Sequence, residues 1–194
     1  MTIDELITQI RGRVADLSDE AYGDALLITY INDGMKDFAQ TGCFQYTETF
    51  NADGSSEYTP TLTYDWLVIY GVDYNGKPLD FAHVDDMRKW EPAAGTPLGW
   101  SIWADTIYLD AIAATLTNGV RVWYVYTPDN VTAVNNTLPL DEKWSPALVS
   151  YCAFRCLEGD RDGHGNGPRA EYDAFKLSAA TIYQAQMSFG GYSK

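Results

Sequence analysis

Apolar residues repeat at helical spacing twice near the start of the chain. Ile3, Leu6, Ile7, Ile10 and Val14 fall at i, i+3, i+4, i+7 and i+11, which puts them on one stripe and predicts an amphipathic helix over Thr2 to Val14. Thr2 and Glu5 have capping-box spacing, with the hydroxyl serving an orphan N–H and the carboxylate reaching back to the cap. Asp16 to Glu20 breaks the pattern. Leu26, Leu27, Tyr30, Ile31, Met35 and Phe38 then restore it and predict a second helix over Asp24 to Thr41, capped by Gly23 and Asp24 and stopped by Gly42 as a C′ glycine. The pair reads as an αα-hairpin, and its apolar stripes need covering by a surface that the pair itself does not supply.

From Cys43 to Tyr126 the period shortens to alternation and short continuous runs rich in Trp, Tyr, Val and Ile, bounded by Gly, Pro, Asn and Asp. This is the pattern of strands. Gln45 to Asn51 alternates, and Asp53-Gly54 lets Glu57 to Thr59 return against it as a hairpin. Trp66 to Tyr74 reads as the most buried strand; it ends in Asn75-Gly76, and Pro78 confines the returning strand to an edge. Val84 to Trp90 predicts a short helix, Trp100 to Trp103 and Thr106 to Leu109 a second hairpin across Ala104-Asp105, and Val120 to Tyr126 a closing strand after Asn118-Gly119. In that last strand Val120, Val122, Tyr124 and Tyr126 take one face and Arg121, Trp123 and Val125 the other.

Asp129 to Leu140 reads as an extended connection. Helical signals then resume at Ser145-Pro146, a capping hydroxyl beside an N1 proline, for a helix reaching Leu157 or Glu158. An acidic glycine linker, Gly159 to Gly167, precedes a last helix from Pro168 with Tyr172, Phe175, Ala179, Ile182 and Phe189 near one face. The expected fold class is α+β: a four-helix bundle made of the N-terminal and C-terminal helix pairs, with an inserted antiparallel β-rich region. The expected division is 1–42 with 145–190 for the bundle, 43–144 for the insertion and 191–194 for a flexible tail.

Length and composition narrow the function classes. With 194 residues the chain can bury a sizeable core. No run approaches the roughly 20 apolar residues of a membrane span, the amphipathic start does not resemble a signal peptide, and three cysteines make no even disulfide set. A net charge of −14 argues against gripping nucleic acid through its phosphates. An acidic wall can instead line a channel without sticking to a passing duplex, although solubility is the plainer reading.

Catalysis finds little support: His83 and His164 lie far apart, and no G-x-S-x-G, H-E-x-x-H or Walker lysine occurs. Cys152 and Cys156 at i, i+4 read as buried thiols rather than metal ligands. Asp160, Asp162 and Asn166 lack EF-hand spacing, Gly163, Gly165 and Gly167 follow no strand, and Asp85-Asp86 reads as a solvated first turn. No catalytic, metal or cofactor site is expected. The aromatic load is different, because alternation leaves some Trp and Tyr facing out, where they can stack a sugar or anchor a protein interface.

The order of these elements resembles the head-to-tail adaptor proteins of tailed bacteriophages, of the tail tubular protein A or gatekeeper-like type. The resemblance runs from about Ile3 to Gln186 and rests on Tyr30-Ile31-Asn32-Asp33-Gly34 within Leu26 to Ala39, on Val72-Asp73-Tyr74-Asn75-Gly76-Lys77-Pro78-Leu79, on Gly99 to Leu109, on Val122 to Pro128, and on Ala147-Leu148-Val149-Ser150-Tyr151. It implies a non-enzymatic virion protein of the neck or tail, made in the host cytoplasm. It also implies a homo-oligomeric, dodecameric ring under the portal protein, a platform for the tail nozzle protein and tail fibres, and a channel that DNA crosses without specific binding during ejection. No membrane and no cofactor are implied. Ring closure needs a heterologous interface, and the candidate interface residues are Met35, Trp103, Trp123, Phe154, Tyr183, Phe189 and Tyr192. Core burial is the competing reading for Met35 and Phe154. The competing function is a carbohydrate-binding or receptor-binding β module of a virion or tail.

Overall fold

A computed structural model describes residues 1–16, 21–158 and 163–189, the last four of these in backbone only. In chain order the elements are α1 (Ile3–Val14), α2 (Asp24–Ala39), β1 (Gln45–Ala52), β2 (Glu57–Tyr58), β3 (Trp66–Tyr74), β4 (Lys77–Pro78), β5 (Asp80–Phe81) and α3 (Val84–Met87). They continue with β6 (Gly99–Trp103), β7 (Thr106–Leu109), β8 (Leu116–Tyr126), one 3₁₀ turn (Glu142–Trp144), α4 (Ser145–Leu157) and α5 (Asn166–Phe189). The fold is α+β, with five helices and two sheets among the described residues. The chain divides into a helical unit, Met1–Phe44 with Thr127–Gln184, and a β unit built on Gln45–Tyr126.

In the helical unit the capping box at the start of α1 forms in full: Thr2 Oγ1 accepts from the Glu5 N–H and Glu5 Oε2 accepts from the Thr2 N–H. Ile3, Leu6, Ile7 and Ile10 are all buried. The first two helices are not a self-contained hairpin. Each packs chiefly on α4 and less on the other, because α4 supplies the apolar surface, Ala147, Leu148, Cys152 and Ala153, that both stripes need. Gly34 sets the closeness of that contact: a Cβ built there would lie 2.7 Å from Tyr151 Cδ1 and 3.2 Å from Leu148 Cδ2.

Long side chains tie α5 into the same unit. Tyr172 Oη and Lys176 Nζ both donate to Asp37 Oδ2, at 2.6 and 2.8 Å, and Glu171 binds Arg13 and Ser150. The connection after β8 also belongs here, since Thr2 bridges Thr137 and the Asn32 amide exchanges two hydrogen bonds with the backbone of Val131. Ser145 is not the cap of α4. It lies inside the helix, and the preceding 3₁₀ turn takes over the start, with Asp141 Oδ1 accepting from the Lys143 N–H. The last helix begins at Asn166 rather than Pro168, so the proline sits in the first turn, where its missing N–H costs nothing. Of the expected linker, 159–162 lies outside the described residues, as does the expected tail 191–194.

In the β unit the sheets run β1-β8-β3-β4 and β2-β7-β6-β5. One hydrophobic cluster draws on both: Ile69, Val72, Tyr74, Val120, Val122 and Tyr124 from the first sheet, with Tyr58, Trp100, Ile107 and Leu109 from the second. All neighbours pair antiparallel except β5, which runs parallel to β6. The β6/β7 hairpin forms across Ala104 and Asp105, both at positive φ, and the β3/β4 hairpin across Asn75 and Gly76, again both at positive φ, the geometry that two-residue turns require.

Three strand expectations change. The hairpin between Gln45–Asn51 and Glu57–Thr59 does not form: β1 pairs with β8, and β2 pairs with β7 in the other sheet. Around Gly54, at φ +87°, Asp53 Oδ1 accepts from Ser55 N–H, a local turn that sends the chain across rather than back. The central, most buried strand is β8 and not β3, which is flanked by β8 on one side only for most of its length. The Asn118-Gly119 pair lies within β8 rather than before it, as an irregularity in the ladder with β1. A Cβ at Gly119 would meet Leu116 Cβ at 2.8 Å, so the kink needs a glycine. Val120, Val122 and Tyr124 are buried on one face of β8; on the other Arg121 is exposed, Trp123 half-buried and Val125 buried at 3% exposure.

Candidate interaction surfaces

One carboxylate of the first sheet sits beside a tyrosine cluster. Glu48 on β1 accepts from Tyr124 Oη on β8 at 2.6 Å and from both the N–H and the hydroxyl of Thr63. Burial works against the charged form of Glu48, but these hydrogen bonds outweigh it and hold the carboxyl below its ordinary value. The same contact, with burial as the larger cause, raises the Tyr124 phenol. Above it Tyr64 and Tyr126 stack at 4.3 Å, and Tyr46 meets the Tyr64 ring edge-on at 5.2 Å. These are the offset and edge geometries that aromatic pairs favour. Beside the cluster an open groove of about 740 Å³ is lined by Leu62, Tyr64, Asp65, Trp66, Leu67 and Asp105.

A second apolar surface lies on the other sheet. Trp103 ends β6 at the hairpin tip and is exposed, with the Arg88 guanidinium 5.4 Å from its ring centroid. Phe81, Leu98 and Ile112 are exposed in the same unit. Among the described residues of the helical unit Leu26, Leu177 and Ile182 are the exposed large apolar ones.

The residues expected at an interface divide between these units. Met35 is 1% exposed and Tyr183 8%; Tyr183 Oη accepts from the buried Trp144 indole N–H at 3.0 Å. Phe154 is half-buried under the Arg169 guanidinium, 5.3 Å from its centroid. Trp123 is also half-buried. Its indole lies over Gly71, where a Cβ would approach Trp123 Cδ1 to 3.3 Å, and its N–H donates to Asp73. Among the described side chains of the set Trp103 is the exposed one. The Phe189 side chain and Tyr192 lie outside the described residues. Sequence reasoning passed over Leu67, Val68, Leu98 and Leu177. The first two stood in a run taken as buried, and the last interrupts a polar helix face without a periodic signal.

The reactive groups are quiet. Burial pushes the thiols of Cys43 and Cys156 up to about 12 and about 11 and raises Cys152 as well, so all three stay protonated near neutrality. His83 caps α3, its Nδ1 accepting from the Asp85 N–H. Among the described residues no group of three or more His, Cys, Asp and Glu is placed to hold a metal ion, and no helix is long and apolar enough to cross a membrane.

No curated protein matches the chain. A family model, described as SU10 adaptor protein, matches residues 1–191. Because that match covers both the helical and the β unit, the chain belongs to the SU10 adaptor protein family, a family of phage head-to-tail adaptors.

Proposed function

We propose that this protein is a structural component of a phage virion that works by recognition and symmetry rather than by covalent chemistry. Copies close into a dodecameric ring between the portal protein and the tail nozzle, and DNA passes through the ring without specific binding. The observation that carries this reading is the family match along almost the whole chain. In this reading α1, α2, α4 and α5 act as one four-helix bundle and the β unit as the inserted part. Exposed apolar residues on both units, among them Trp103, Leu98 and Leu177, supply surface for neighbours. The formal charge of −14 suits a channel that repels the duplex, and the tail 191–194 docks on the portal while the nozzle and fibres meet the β unit.

Native mass measurement on the purified chain, alone and mixed with the portal of the same virion, tests it. A dodecamer or a portal complex is expected. A persistent monomer that ignores the portal would overturn the reading. One feature favours a second reading, glycan binding: the groove lined by Tyr64, Trp66, Asp65 and Asp105 has the aromatic rings and carboxylates a sugar uses. Retention on immobilised glycans that Trp66→Ala removes would support that alternative.

A further inference from the structure

Among the described residues the first sheet has two open edges. On one side, β1 (eight residues) has β8 as its strand partner and none beyond it among the described residues. On the other, β4 covers β3 only at Asp73 and Tyr74, and Leu79 N–H reaches Val72 O, which leaves Trp66–Gly71 without an outer strand. Such an edge is a template for another strand, and proteins commonly guard it with charge, proline or bulges. Charge and proline are absent here: Trp66-Leu67-Val68-Ile69-Tyr70-Gly71 contains no charged residue and no proline. Two register shifts against β8, between Trp66 and Val68 and between Ile69 and Gly71, fall in this stretch. Bulges re-aim side chains, and in this strand Leu67 and Val68 are successive residues that are both exposed, at 42% and 51%.

The opposite edge complements it. Gln45–Ala52 carries a single charge, Glu48, whose carboxylate already holds Thr63 and Tyr124, and it exposes Tyr46 at 41%. In a chain of net charge −14, copies repel one another over most of their surface. Within Trp66–Gly71 and β1 themselves only Glu48 is charged, while Asp65 and Asp105 line the same groove as Trp66 and Leu67.

We infer that β3 at Trp66–Gly71 of one copy pairs with β1 of the next, so that the first sheet continues from copy to copy. This inference rests on the ring reading and names the surface that closes the ring. The edges differ, which makes the contact heterologous, as a ring requires. The pairing must be parallel. Both β1 and β3 run antiparallel to β8, and neighbours in a dodecamer are rotated by only about 30°, too little to reverse a strand. Tyr46 of one copy then packs near Leu67 and Val68 of its neighbour.

The test is made in purified virions and on the full chain. A Tyr46→Cys/Val68→Cys variant, oxidised in the particle, is expected to give a ladder of covalent multimers that ends at the ring, while each single variant gives none. A Leu67→Lys/Val68→Lys variant, altered at exposed positions, is expected to retain the wild-type circular dichroism spectrum and lose the ring. A ring of full mass that neither cross-links nor responds to the lysines overturns the edge pairing and leaves the ring reading standing. Particles in which the chain forms no multimer overturn both.

Discussion

Replacing Gly34 by alanine sets two terms of opposite sign against each other. Gly34 lies in the interior of α2, where alanine is worth about 1 kcal/mol more than glycine in helix propensity. The added Cβ, however, would sit 2.7 Å from Tyr151 Cδ1 and 3.2 Å from both Tyr151 Cγ and Leu148 Cδ2. The ring cannot swing away freely: Tyr151 Oη accepts from Arg155 Nη1 at 3.0 Å, and its ring packs on Tyr172 at 5.0 Å, itself bonded to Asp37. Overpacking of this kind costs about 1–3 kcal/mol, so a net loss of about 1 kcal/mol remains, a fall in Tm of about 2–4 °C for a chain of this size. Gly12, in α1, is the control, with nothing within 4 Å of its Cβ position. Gly12→Ala should therefore stabilise by about 0.5–1 kcal/mol. Thermal melts of the two variants beside wild type should shift in opposite directions, and a Gly34→Ala variant that gains stability as Gly12→Ala does would refute the close α2–α4 contact.

Three further outcomes follow from single residues. Ala15 ends α1 in the left-handed region at φ 58°, a conformation that costs a non-glycine residue about 1–2 kcal/mol, so Ala15→Gly should raise the urea midpoint despite its larger unfolded-state entropy; a lowered midpoint would refute the strain. Tyr183→Phe removes the acceptor of the buried Trp144 N–H and should cost about 1–3 kcal/mol, whereas Thr181→Ala, two residues away on an exposed face, should change little. Glu48 has a carboxyl pKa lower in the folded chain than its ordinary 4.5, so its stabilisation is present above that value and is lost as pH falls through the lowered folded one. Urea midpoints should accordingly place Glu48→Gln below wild type near pH 7, with the gap narrowing as the pH falls below 4.5; a gap that stays the same down the acid range would exclude the ionised carboxylate as the cause.

Local signals determined much of this protein from sequence alone. The capping box at Thr2 and Glu5, the i, i+3, i+4 stripe of α1, and the Asn75-Gly76 and Ala104-Asp105 turns are short-range physics, set by neighbouring residues and φ preferences. They are legible because no distant partner is needed to form them. What tertiary structure decided were the long-range choices: β1 with β8 instead of β2, β8 rather than β3 at the centre, and α4 rather than α2 as the main partner of α1. Several partners fit an apolar stripe or an alternating strand equally well by pattern, and only the total burial of Val120, Val122 and Tyr124 on one face selects among them. The same limit governs the surfaces. That Leu67 and Val68 face solvent while Met35 and Tyr183 lie inside depends on bulges and on which helix covers which, and neither is written in the spacing of the residues themselves.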